Sequence, residues 1–150
     1  MRYFLAALLI MISIGCSNES ITKEITLIEP DQINEVSFTD KSGRATIVHN
    51  MTRGVDIIVS AKDLNPAERY EITIFQKDGE RGVTFGPEAN LDIKMGSIEG
   101  ETILLPNQNG DLYVSMLNPE RIFSDAEQLT IVVSTTDQKV VLESYPFKLK

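Results

Sequence analysis

Apolar and polar residues alternate with a period of two along most of the chain. Val55, Ile57 and Val59 alternate with Asp56, Ile58 and Ser60; Tyr70, Ile72 and Ile74 with Glu71, Thr73 and Phe75. The same holds for Leu91, Ile93 and Met95 against Asp92 and Lys94, for Leu112, Val114 and Met116 against Tyr113 and Ser115, and for Leu129, Ile131 and Val133 against Thr130, Val132 and Ser134. Successive side chains of a strand point to opposite faces, so each segment predicts a strand with one face buried. Turn-forming residues divide the segments: Lys41-Ser42-Gly43, Thr52-Arg53-Gly54, Asn65-Pro66, Asp78-Gly79, Asn107-Gln108-Asn109-Gly110 and Thr136-Asp137. The runs lie near residues 24–28, 34–39, 44–49, 54–60, 69–76, 82–85, 91–95, 101–105, 111–117, 128–135 and 139–149, and predict nine or ten paired strands. One or two helical turns are expected only around Pro119 to Glu127. Many short strands with frequent turns specify an all-β protein, an antiparallel β-sandwich.

The N-terminus breaks this pattern. Arg2 precedes a 12-residue apolar stretch, Tyr3 to Ile14, and Gly15 stands before Cys16, the single cysteine of the chain. A stretch of 12 residues is too short for a helix crossing a bilayer, which needs about 20. Ile12-Ser13-Ile14-Gly15-Cys16 resembles the signal of bacterial lipoproteins, in which the cysteine thiol receives a diacylglyceryl group and becomes the first residue of the mature chain. That family carries Leu, Val or Ile three residues before the cysteine, where this chain has Ser13. The resemblance implies a signal peptide over 1–15, a lipidated tether over 16–24, a single domain over 25–150, and an exported protein held to a membrane by two or three acyl chains.

Composition narrows the partners. Removing Arg2 with the signal leaves 13 basic against 22 acidic side chains, a net charge of about −9. No Lys and Arg cluster is visible along the chain, so neither nucleic acid nor anionic lipid is an expected partner. With Cys16 acylated no thiol remains for a disulfide, a zinc-thiolate site or cysteine catalysis.

Leu64-Asn65-Pro66-Ala67-Glu68-Arg69-Tyr70 has a Leu-x-Pro-x-x-x-Tyr spacing that resembles the tyrosine corner of Greek-key sandwiches, with Leu64, Pro66 and Tyr70 as its members. Residues 54 to 135 resemble the copper/zinc superoxide dismutase fold in pattern. Val55 through Ile74 match the entry to that family's copper-binding strand, Leu105 to Asp111 and Leu112 to Met116 its later hairpin and strand, and Glu127 to Thr135 the strand after it. These resemblances imply architecture alone, an antiparallel Greek-key β-sandwich of the immunoglobulin-like or superoxide dismutase-like kind. The family's His-x-His pair falls on Ile72 and Ile74, and the whole chain holds one histidine, His49.

Three further groupings have chemical meaning. His49 and Met51, with Met95 and Met116, are soft ligands of the type that suits copper(I), set against the plainer reading of core methionines and a strand-end histidine. Asn107 to Asp111 is rich in oxygen ligands, as a calcium loop is, but lacks a distal bidentate Glu and contains the Asn-Gly pair of a hairpin turn. Asp78, Glu80, Glu88, Asp92, Glu99 and Glu101 read as solvated charge rather than a paired-carboxylate hydrolase. The expected function is that of a lipid-anchored binding or interaction module of the cell envelope, without catalysis or cofactor and with an unknown envelope protein or ligand as partner. A structural or assembly role in an envelope complex is the alternative. A binding surface is expected to use outward aromatic residues such as Phe75, Tyr113 or Tyr145.

Overall fold

The computed structural model of the chain describes residues 32–50, 52, 54–76, 82–86, 91–118 and 128–149. The expected signal over 1–15 and tether over 16–24, the expected strand at 24–28 and the expected helix at 119–127 lie outside the described residues.

The described chain is an antiparallel β-sandwich without a helix. Its strands are β1 Gln32–Ser37, β2 Gly43–Asn50, β3 Gly54–Ala61, β4 Tyr70–Gln76, β5 Gly82–Thr84, β6 Leu91–Met95, β7 Ser97–Glu99, β8 Ile103–Leu105, β9 Leu112–Asn118, β10 Leu129–Thr135 and β11 Val140–Glu143. One sheet has the order β1-β2-β3-β9-β6 and the other β11-β10-β4-β8-β7, with β5 also paired to β4. Strands distant in sequence thus lie side by side, β3 against β9 and β4 against β10, in full antiparallel register.

The alternation read along the chain becomes the core. Ile57 and Val59 of β3 and Val114 and Met116 of β9 face Ile72 and Ile74 of β4 and Ile131 and Val133 of β10, all buried. Removing these side chains from water is the main force that holds the sheets together. Phe38, Phe85 and Phe147 are buried in the same core. Ile72 and Ile74, apolar and inward, are thus core residues.

Three expectations are corrected. The described residues hold eleven strands rather than nine or ten, because Ser97–Glu99 pairs with Ile103–Leu105 as a short hairpin. Three residues are too few to show a period. The alternation puts Met95 on the inward face of β6, but it is 37% exposed, because the ladder slips between Ile93 and Met95 and sets Met95 opposite Tyr113. Such a bulge exchanges the faces of everything beyond it. The final run over 139–149 is a strand only to Glu143; Ser144 and Phe147 make isolated bridges around Pro146, which has no N–H to donate.

Both seams of the sandwich are tied. On one side the chain steps from β6 to β7 at Gly96, whose φ of +91° and tight packing against the Leu105 backbone and the Leu112 side chain admit no Cβ. On the other, Thr39 donates its N–H to the Glu143 carbonyl at 2.9 Å and Tyr145 donates to the Ser37 carbonyl at 3.0 Å. The segment after β11 also reaches back to β10, where Ser144 donates its N–H to Ile131 and Leu129 exchanges two bonds with Phe147. Residues 143–147 therefore strap one sheet to the other.

Candidate functional site

Among the described residues, the candidate metal ligands singled out in the sequence do not meet at one point. Cys16 and Met51 lie outside the described residues. His49 is buried at the far end of β2, opposite Val55, and Val55 in turn pairs with Asn118. Met116 is fully buried on β9, two strands across and one inward position along. Strand spacing and rise place the Cα atoms of His49 and Met116 about 12 Å apart. Met95 stands out of the core beside Tyr113, nearer the other end of β9. Among the described residues no three of His, Cys, Asp and Glu converge so as to hold a metal ion.

The oxygen-rich loop is a turn. The side-chain oxygen of Asn107 accepts the N–H groups of both Asn109 and Asp111 at 2.9 Å, and Gly110 donates to the Asn107 carbonyl at 3.0 Å. The amide oxygen that a cation would need is thus committed to the backbone. Of the carboxylates, Glu99 is drawn to Arg69, whose Nε donates to it at 2.6 Å, and Asp92 lies on the outer face of the other sheet, in register with Ser115.

The corner residues do come together. Leu64 is buried, Pro66 is exposed in the turn, and Tyr70 is 2% exposed with its hydroxyl turned back on the preceding chain. The Tyr70 hydroxyl accepts the Asn65 N–H at 2.9 Å and donates to the Asn65 carbonyl at 3.3 Å. Burial pushes the phenol above its ordinary pKa, opposed by the bond to Asn65. A cleft of about 370 Å³ lies beside the corner, lined by Asp63, Glu68, Asp137 and Lys139 among others. Its charges are mixed, and Asp137 accepts a bond from the Thr135 hydroxyl.

A second cleft has a single chemical character. It measures about 410 Å³ and is lined by Ser37, Lys41, Ser42, Gly43, Arg44, Ser60 and Lys62. The register builds it: Ser37 pairs with Arg44 and Arg44 with Ser60, so three outward side chains of β1, β2 and β3 form one row across the sheet. The β1–β2 turn adds Lys41 and Ser42, and Lys62 follows directly after β3, its N–H donated to the Ser42 carbonyl at 2.8 Å. Lys41 holds a left-handed backbone at φ 65°. Gly43 lets β2 and β3 approach at the floor, where a Cβ would overlap the Ser60 carbonyl oxygen and lie 3.0 Å from the Ala61 Cα.

The cleft is rich in free donors. Asp40, beside it, accepts from both the N–H and the hydroxyl of Ser42, at 3.0 and 2.7 Å, and these bonds hold its carboxyl below the ordinary range. Arg44 is 3.8 Å from Glu35, an exposed pair of the kind that contributes little. Among the described residues neither Lys41 nor Lys62 has a carboxylate within ion-pairing distance, and the hydroxyls of Ser37 and Ser60 make no hydrogen bond. Next along the row Ser60 pairs with Tyr113, and the Lys94 ammonium lies 5.4 Å from the centre of that ring.

The chain matches no family model, no curated protein and no solved structure. Its site is therefore described by its own geometry. Lys41, Arg44 and Lys62 are spread over 22 positions of an acidic sequence and form the cationic cluster that the linear order does not display. The signal that finds them is the Lys41-Ser42-Gly43 turn, which fixes the β1–β2 hairpin and hence the row. The expected aromatic surface is dispersed instead: Tyr113 is on the outer face of one sheet, Phe75 on that of the other, and Tyr145 at the strap.

Proposed function

We propose that the protein is a lipid-anchored binding module of the cell envelope that acts without catalysis, exported and held at Cys16 to a membrane, facing away from the cytoplasm. The cationic serine-lined cleft carries this reading. Its lining offers hydrogen-bond donors and positive charge, which is the chemistry of holding an oxyanion rather than of breaking a bond. The Cys16 motif supports the location, and the net charge of −8 speaks against nucleic acid as partner. A photo-crosslinking residue at position 62, compared with one at position 139, tests the reading in intact cells. A discrete adduct from position 62 alone is the expected result; equal labelling from both positions, or none, overturns it.

A role in holding an envelope complex together is the second reading. It draws on Val140 and Tyr145, which are 54% and 55% exposed at the β11 edge and the strap, and on the partly exposed Val141 between them.

A further inference from the structure

We infer that the cleft binds a small phosphate ester with a polar body, of the sugar-phosphate or polyol-phosphate class, presented from solution rather than by the anchoring bilayer. The inference rests on the binding-module reading and names its ligand. Three observations carry it.

The first is the donor set. Lys41, Lys62 and the hydroxyls of Ser37 and Ser60 are unengaged, and Arg44 is held only by an exposed pair, so the cleft presents cations and hydroxyls to whatever enters it. A tetrahedral oxyanion accepts from several donors at once, and bonds between charged partners are roughly twice as strong as neutral ones. The second is size and polarity. A volume of about 410 Å³ is at the lower end of small-molecule sites, which run from roughly 300 to 1,000 Å³. It exceeds what a bare phosphate needs. The lining contains serine, lysine, arginine and glycine and no apolar side chain, so the rest of the ligand is hydroxylated. A chain of net charge −8 repels a long polyanion as a whole, whereas a compact anion responds to the charges within a Debye length of about 8 to 10 Å.

The third is direction. β1 runs from Gln32 to Ser37, and Ser37 lines the cleft. At about 3.4 Å per residue, the N-terminal end of β1 lies about 17 Å from the cleft. That end is the nearer one to Cys16 along the sequence, so the cleft sits at the far end of the first described strand from the proposed anchor, which favours a ligand from solution over the headgroups of the anchoring bilayer.

The test uses the intact lipidated chain in non-ionic detergent, titrated with glycerol 1-phosphate, with inorganic phosphate and with glycerol, while amide NMR shifts are followed. Saturable shifts at Lys41 to Arg44 and Ser60 to Lys62 are expected with glycerol 1-phosphate, with a dissociation constant on the order of 1 mM, and none with glycerol. Lys41→Gln and Lys62→Gln are each expected to weaken binding roughly tenfold, the loss of one charge-assisted bond, while Lys139→Gln leaves it unchanged. Exposed substitutions of this kind leave the fold intact. Absence of saturable shifts, or saturation that ignores both lysine substitutions, overturns the site. A parallel arm sediments the Cys16→Ser chain with phosphatidylglycerol/phosphatidylcholine vesicles; pelleting that depends on Lys62 overturns the solution source and assigns the phosphate to a lipid headgroup. A position-62 adduct in cells without phosphate-ester binding would leave the module reading standing and remove this ligand alone.

Discussion

The hydroxyl of Tyr70 and the backbone of Asn65 hold each other twice, through an N–H donated to the phenolic oxygen at 2.9 Å and a hydroxyl donated to the carbonyl at 3.3 Å. The pair pins the turn that carries the chain from β3 in one sheet to β4 in the other. Tyr70→Phe keeps the ring and loses the bonds, and is expected to cost about 1 kcal/mol, the usual net worth of a hydrogen bond. Tyr70→Ala also leaves a cavity and is expected to cost about 3 to 5 kcal/mol. Urea unfolding midpoints read both; equal midpoints for wild type and Tyr70→Ala would show that the corner contributes nothing.

Gly43→Ala is expected to destabilise the domain by about 1 to 3 kcal/mol, the range for forcing an atom into filled space. The added methyl meets backbone on two sides, Ser60 and Ala61, and the Phe38 ring at 3.1 Å on a third, so no flexible group can yield. The same substitution parts β2 from β3 under the cleft. A variant as stable as the wild type would refute the close approach.

Asp40 gives a pH dependence with a definite sign. Its hydrogen bonds to Ser42 hold the folded carboxyl below its unfolded pKa. The group therefore contributes its stability in full above the unfolded value and loses it as pH falls through the folded one. Ser42→Ala removes the hydroxyl bond, the largest cause of the shift, and the Asp40 midpoint rises toward the ordinary value. Carboxyl titration by NMR checks this; a wild-type midpoint at or above the ordinary aspartate range contradicts it.

Ser144 is almost fully buried, and its hydroxyl oxygen accepts the Ile131 N–H at 2.9 Å. Ser144→Ala leaves that buried N–H without its partner and is expected to cost about 1 to 3 kcal/mol, far more than an exposed Ser→Ala change. Ser134→Ala, at a half-buried outward position of β10, is the comparison. Thermal unfolding of the two variants separates them, and equal melting temperatures would show the strap to be dispensable.

Anchoring is tested by Cys16→Ser. No other residue can form the thioether, so the variant is expected to leave the membrane fraction for the soluble one. Its persistence in the membrane pellet after a salt wash would refute lipid attachment at this residue.

The architecture was legible because burial imposes a period of two. Val55, Ile57 and Val59 reach the core as the alternation requires, and so do the inward residues of β4, β9 and β10. Met95 was not legible, since a one-residue slip against β9 reverses its face and leaves no mark in the local pattern. The cleft was hidden for a related reason. Lys41, Arg44 and Lys62 meet only through the pairing of Gly43 with Ala61, a relation between two strands rather than a property of either. A row of charges across a sheet has no period along the chain.

The strap over 143–147 also sets an order of events. It is synthesised after every strand that it joins, and its bonds run to Ser37 and Thr39 at the start of the domain and to Leu129 and Ile131 near its end. Closing so long a loop places the decisive contacts late and makes folding slow. A nascent chain without these residues holds an open seam and cannot complete the sandwich. The last turn of the lock is withheld until most of the chain has been made.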